Sequence, residues 1–169
     1  MSEIAPGSAQ NVPGQPLSRA LRPVIIRSVA EAQQRGSATV EAEHLLLALC
    51  REGSEPVRAV LAAGGLDPKG LDAALADERA ASLRVAGVTP PPAERLSASP
   101  RVVRPRWGAS AREALVRAHR VAAANRRQRS GELDLLAALL SLELGTVPRA
   151  LALAGIDRQG LLASARRAA

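Results

Sequence analysis

At 169 residues the chain is long enough for one compact domain, or for two small halves sharing an interface, and too short to carry an ATPase module as well. Hydrophobic residues make up 47% of it but aromatics only 1%, with Trp107 the one aromatic side chain, so a core has to be built from Ala, Leu, Val and Ile packed closely between helices. The net charge is +7, yet Lys69 is the only lysine among 23 basic residues; so strong a preference for arginine looks like coding bias, and charge alone is no evidence of nucleic-acid binding, although it would attract anions.

Residues 1–16, with Pro6, Gly7, Pro13, Gly14 and Pro16, read as a disordered leader. They lack the basic start and apolar stretch of a signal peptide, and no apolar run in the chain approaches the roughly 20 residues of a membrane span, so a cytoplasmic protein is expected. Leu21, Val24, Ile25, Ser28 and Ala32 then recur at helical spacing and predict an amphipathic helix ending near Gly36. The run Leu45 to Cys50 predicts a buried second helix. Cys50, the single cysteine, has no partner for an internal disulfide and reads as a small buried hydrophobe.

Ser54 is placed to cap a third helix, with Pro56 in its first turn and Gly64-Gly65 ending it. Asp67-Pro68 opens a fourth, which carries Leu71, Ala74 and Leu75 on one side. Residues 79–106, rich in Pro, Ser and Arg, read as an extended linker. Beyond it Ala111, Ala114, Leu115, Ala118 and Ala122 mark another helical face, Thr146 is placed to cap the next helix with Pro148 in its first turn, and Asp157 opens the last one.

Sliding the sequence against itself by 90 positions aligns Leu45 with Leu135, Leu46 with Leu136, Leu49 with Leu139, Val57 with Val147 and Leu61 with Leu151. Gly65, Asp67, Gly70 and Leu71 fall on Gly155, Asp157, Gly160 and Leu161 in the same register. Internal duplication explains this directly. The expected fold is all-α: eight helices in two four-helix repeats, residues 17–78 and 107–169, related by a pseudo-twofold axis.

The segment Val40-Glu41-Ala42-Glu43-His44-Leu45-Leu46-Leu47-Ala48-Leu49 resembles the Clp N-terminal repeat, whose pattern is Ile-Gly-Thr-Glu-His-(Ile/Leu)-Leu-Leu-(Gly/Ala)-Leu. It follows an amphipathic first helix, as in that family, and the resemblance covers roughly Leu17 to Ala169. It implies the double Clp-N fold and a stand-alone relative of the domain that, in ClpC-type unfoldases, precedes the AAA+ rings and receives adaptors, substrates and proteins marked by phosphoarginine. The partners implied are proteins (a Clp ATPase, its adaptors or its substrates) or a small peptide, with no cofactor and no membrane.

Glu43 matches the family glutamate that contacts the guanidinium of phosphoarginine, and Ser18 matches a nearby family threonine, so the resemblance makes these two the candidate ligand-binding residues. A carboxylate can hold a guanidinium through two parallel hydrogen bonds. Against this stands a plain structural reading: Glu43 favours a helix dipole from the first turn, and His44 packs or caps between helices. The second repeat has Leu133 and Asp134 at the corresponding positions, Gly108 in place of Ser18, and Glu132 one place out of register, so at most one site is expected.

No phosphate-binding Gly-x-x-x-x-Gly-Lys-Ser/Thr motif occurs, His44, His119 and Cys50 do not have metal-site spacing, and no Ser or Cys stands in a recognisable catalytic arrangement. The chain is therefore expected not to be an enzyme. Two other readings stay open. Arg117, Arg120, Arg126, Arg127 and Arg129, with Arg101, Arg104 and Arg106, could track a phosphate backbone, although no recognition helix or aromatic platform accompanies them. The family also includes domains that bind cyclic-peptide antibiotics through phenylalanines, so a sequestering decoy is an alternative, but this sequence has no phenylalanine.

Overall fold

Leu21, Val24, Ile25 and Ala32 turn one face of helix α1 (Leu21–Gln34) fully inward, and the one small polar residue on that face, Ser28, is satisfied by donating to the Ile25 carbonyl at 2.7 Å. Gly36 ends this helix with φ +63°, a conformation that costs other residues steric strain. The computed structural model describes residues 16–89 and 103–169, and eight helices and two short strands lie among them.

In chain order α1 is followed by β1 (Thr39–Val40), α2 (Ala42–Glu52), α3 (Glu55–Ala63), α4 (Pro68–Val85), β2 (Arg106–Trp107), α5 (Ala109–Ala124), α6 (Glu132–Leu140), α7 (Thr146–Leu153) and α8 (Arg158–Ala168). Helices α2 and α6 are apolar on nearly every side. Leu45 to Leu49 and Leu135 to Leu140 are all buried, so these two helices form the centre of the core and the others cover them. Ala111, Ala114, Leu115, Ala118 and Ala122 of α5 are buried as well, their small side chains letting α5 pack closely on α6.

The two halves are interleaved. Helix α4 of the first repeat packs on α7 of the second, and α8 of the second packs on α3 of the first. At the latter contact a side-chain carbon on Gly64 would stand 2.3 Å from Leu161 Cδ2, so glycine here sets how closely α3 and α8 approach. The short strands obey the same exchange. Val40 pairs in parallel with Trp107, and Leu17 with Ser130, each pair shifted from the other by the repeat register. The Gly108 amide donates to the Val40 carbonyl at 2.9 Å and the Ser18 amide to the Ser130 carbonyl at 2.9 Å, the same bond made twice about the pseudo-twofold axis. These two-residue strands were not expected from a sequence without alternation; they are short extended lead-ins to helices, held by backbone bonds rather than by side-chain pattern.

Most helix ends follow the sequence reading. Asp67 and Asp157 accept from the Gly70 and Gly160 amides at 2.6 and 2.9 Å, and Gly65 and Gly155 adopt φ of +73° and +68°. Two ends differ. Ser54 occupies the N-cap of α3, but its hydroxyl donates to Glu132 across the repeats instead of accepting from first-turn amides. Thr146 is the first residue of α7 rather than its cap, because Gly145 at φ +107° makes the turn into the helix.

The expected linker over residues 79–106 is also altered at its start, since α4 continues to Val85. Arg, Ala, Leu and Val at 79–85 are adequate helix formers, Ser82 Oγ donates to Glu78 at 2.6 Å, and α7 supports this stretch from the side. Residues 90–102 of the linker and 1–15 of the leader lie outside the described residues. Pro16, the last leader residue, accepts from the Ser130 amide at 3.1 Å.

Candidate ligand-binding site

Helix α2 begins where β1 ends, which puts Glu43 in its first turn at the surface end of the apolar core. Glu43 lies on the wall of a cavity of about 590 Å³, with Arg35, Gly36 and His44 beside it and Asp72, Glu78 and Arg79 of α4 opposite. Its carboxylate is half-buried and makes no ion pair among the described residues. Burial, joined by the negative charges of Glu41 and Glu78, raises its pKa above the usual glutamate range, while its own backbone amide and Arg35 work against the rise.

His44 is part of the scaffold. Its Nδ1 accepts from the Glu41 amide at 2.9 Å, closing the start of α2, and burial together with the Arg35 charge pushes its pKa down to about 4. The imidazole is therefore neutral at pH 7. Asp134 does the same job in the second repeat, accepting from the Gly131 amide at 2.8 Å and pairing with Arg127 at 2.5 Å.

Arg35 is pinned from behind. Glu31, fully buried on the inner face of α1, receives Arg27 at 2.8 Å, Arg51 at 3.0 Å and Arg35; Asp72 in turn holds Arg35, and Arg51 at 2.6 Å. Burial alone would raise the Glu31 pKa, but the hydrogen bonds and charges of Arg27, Arg35 and Arg51 bring it below the usual value. Sequence reading passed over this cluster. Its signal was present in the spacing, since Glu31 follows Ser28 by three positions on the same apolar face, where an acid needs a partner.

Ser18 is not beside Glu43 on that cavity wall. Its amide is bonded to Ser130 of the second repeat, while Glu43 belongs to the helix whose start faces Gly108 and Ser110. The exchange of strands places the two candidate residues at opposite ends of the pseudo-twofold relation. Ser18 Oγ and Ser130 Oγ are buried without hydrogen-bond partners among the described residues.

The second repeat has structural side chains where a second site would lie. Glu132 accepts from the Ser54 amide at 3.0 Å, Asp134 caps α6, and Leu133 packs against the core. Two of the arginines noted above are engaged too. Arg117 pairs with Glu113 at 2.6 Å and donates to the Ser141 carbonyl at 3.1 Å, and Arg127 holds Asp134. Arg101 lies outside the described residues. Cys50 is buried, and burial pushes its thiol up to about 12, which leaves it protonated and unreactive at neutral pH.

Fold and site together define an all-helical, twofold-repeated domain with a charged cavity at the start of its second helix. Residues 2–64 match the family described as the Clp repeat (R) N-terminal domain. The second repeat lies outside the matched residues, and the fold carries the likeness there. The N-terminal domain of the caseinolytic protease associated chaperone ClpD from Arabidopsis thaliana superimposes with a TM-score of 0.63 at 18% identity, over 88% of this chain and 91% of that one. The Hsp104 N-terminal domain from Candida albicans gives 0.62 at 12% identity, over 89% of each chain. No curated protein gives a significant sequence match. Among the described residues no helix is long and apolar enough to cross a membrane.

Proposed function

We propose that the chain is a non-catalytic protein-binding module that recognises Clp substrates or adaptors, with Glu43 as the residue that takes a cationic group of the partner. The observation that supports this is the setting of Glu43: a half-buried carboxylate on a cavity wall, with no ion pair among the described residues. Partial burial lowers the competition from water, so a guanidinium bound there in two-point fashion gains more than at an open surface. Arg35 beside it is already held by Glu31 and Asp72 and is a fixed positive charge, suited to an anionic group on the same ligand. A phosphoarginine side chain, cationic at its carbon and anionic at its phosphate, fits that pairing. Ser18, at the other end of the pseudo-twofold relation, would serve a separate contact.

The test is titration of a phosphoarginine peptide into the full chain, followed by fluorescence anisotropy, with Glu43→Ala and an unphosphorylated arginine peptide as controls. Saturable binding that disappears in Glu43→Ala supports the proposal. Absence of binding at about millimolar peptide, the weak end of specific recognition, removes it.

A further inference from the structure

The outer face of α1, turned away from the core and from the Glu43 cavity, carries a groove of about 830 Å³. Pro23, Ile26 and Ala30 line it along one side of the helix, and Ile26 is 58% exposed. Around this strip stand Arg19, Arg22 and Arg27, with Glu52 as the only acid in the lining.

The arginines are available to different degrees. Arg19 and Arg22 are exposed and make no ion pair among the described residues. Arg27 is anchored through its Nε to buried Glu31 at 2.8 Å and stands 3.9 Å from Glu52, so it is already ordered and loses little freedom on meeting a ligand.

The second repeat shows what this face looks like when its charge is answered internally. Pro23 and Arg27 correspond to Glu113 and Arg117 in the repeat register, and there the acid and the arginine pair at 2.6 Å. In the first repeat proline stands where that acid would be and Arg27 turns to Glu31 instead, so the charges around the apolar floor without an ion pair among the described residues are Arg19 and Arg22.

We infer that this face of α1 docks an acidic amphipathic segment of a partner protein, its apolar side chains on Pro23, Ile26 and Ala30 and its carboxylates on Arg19, Arg22 and Arg27. An apolar strip favours a peptide over a nucleic-acid backbone, and base stacking has no platform here, because Trp107 is the only aromatic residue and is buried. The groove and the Glu43 cavity share no lining residue.

The experiment uses the full chain and a labelled helical peptide with leucine on one face flanked by glutamate, compared with the same peptide carrying lysine for every glutamate. The glutamate peptide is expected to bind, weakening about tenfold or more in Arg19→Glu/Arg22→Glu, which corresponds to about 1.4 kcal/mol or more, and also in Ile26→Asp. Arg166→Glu/Arg167→Glu, on exposed positions of α8, changes net charge equally and is expected to leave binding intact. Equal binding of the lysine peptide, an unaffected Arg19→Glu/Arg22→Glu variant, or an equal loss in the α8 control would overturn the inference. So would a single-stranded oligonucleotide that binds this face more tightly than the peptide and is lost in the same α1 variant.

Discussion

Glu41 lies across Gly108: a side-chain carbon added to the glycine would stand 1.8 Å from Glu41 Oε1. The carboxylate uses that space to accept from Ser110 Oγ at 2.5 Å and from the Ser110 amide at 3.2 Å, while Ser110 Oγ accepts from the Ala42 amide at 2.9 Å. The start of α2 is thereby tied to the start of α5. The other end of the pseudo-twofold relation is the reverse, with Gly131 at the position of Glu41 and Ser18 at that of Gly108. The side chain sits on one partner or the other at each end, never on both.

This makes Gly108 and Glu41 a coupled pair. Gly108 has φ −77°, which any residue adopts, so Gly108→Ala acts only by displacing the carboxylate from Ser110 and is expected to destabilise by about 1–2 kcal/mol. In a Glu41→Ala background the same substitution is expected to cost much less. Urea unfolding of the four proteins gives the coupling energy, and equal costs in both backgrounds would contradict it.

His44 predicts an acid-sensitive fold. Its pKa falls from 6.5 to about 4 on folding, so the unfolded chain binds the proton more readily, and stability present above about pH 6.5 is lost as pH falls towards 4. The full effect is about 3 kcal/mol. His44→Asn keeps an acceptor for the Glu41 amide but does not titrate, and its stability is expected to vary less with pH over that window. Chemical denaturation between pH 7 and 4 checks this; parallel curves for the two proteins would refute it.

Glu31 holds three arginines from three directions while fully buried. Replacing it by glutamine leaves the shape and removes the charge, and the cost expected is about 3 kcal/mol, at the low end for a broken buried pair because the arginines keep some access to water. Arg27→Ala is expected to cost less, since Arg35 and Arg51 remain. Thermal unfolding of both variants ranks them, and the reverse order would show that Arg27 rather than Glu31 organises the cluster.

Cavity and core were legible in the sequence to different extents. The burial of Leu21, Val24 and Ile25, the caps at Asp67 and Asp157 and the glycine turns at Gly65 and Gly155 all follow from spacing and local backbone preference, because a helix contains its own hydrogen bonds and its apolar face has to be covered. Glu43 stood out by motif, but its unpaired state did not, since that depends on which charges α4 brings opposite it.

The sequence alone determined eight helices, their duplication and the residues that each repeat would bury, all properties of neighbours along one chain. Tertiary structure alone decided that the repeats interleave, that Ser18 answers to Ser130 instead of Glu43, and that Ser54 serves Glu132 rather than its own helix. The physical reason is that these bonds join groups far apart in sequence, and local periodicity carries no information about which distant polar group reaches a given donor.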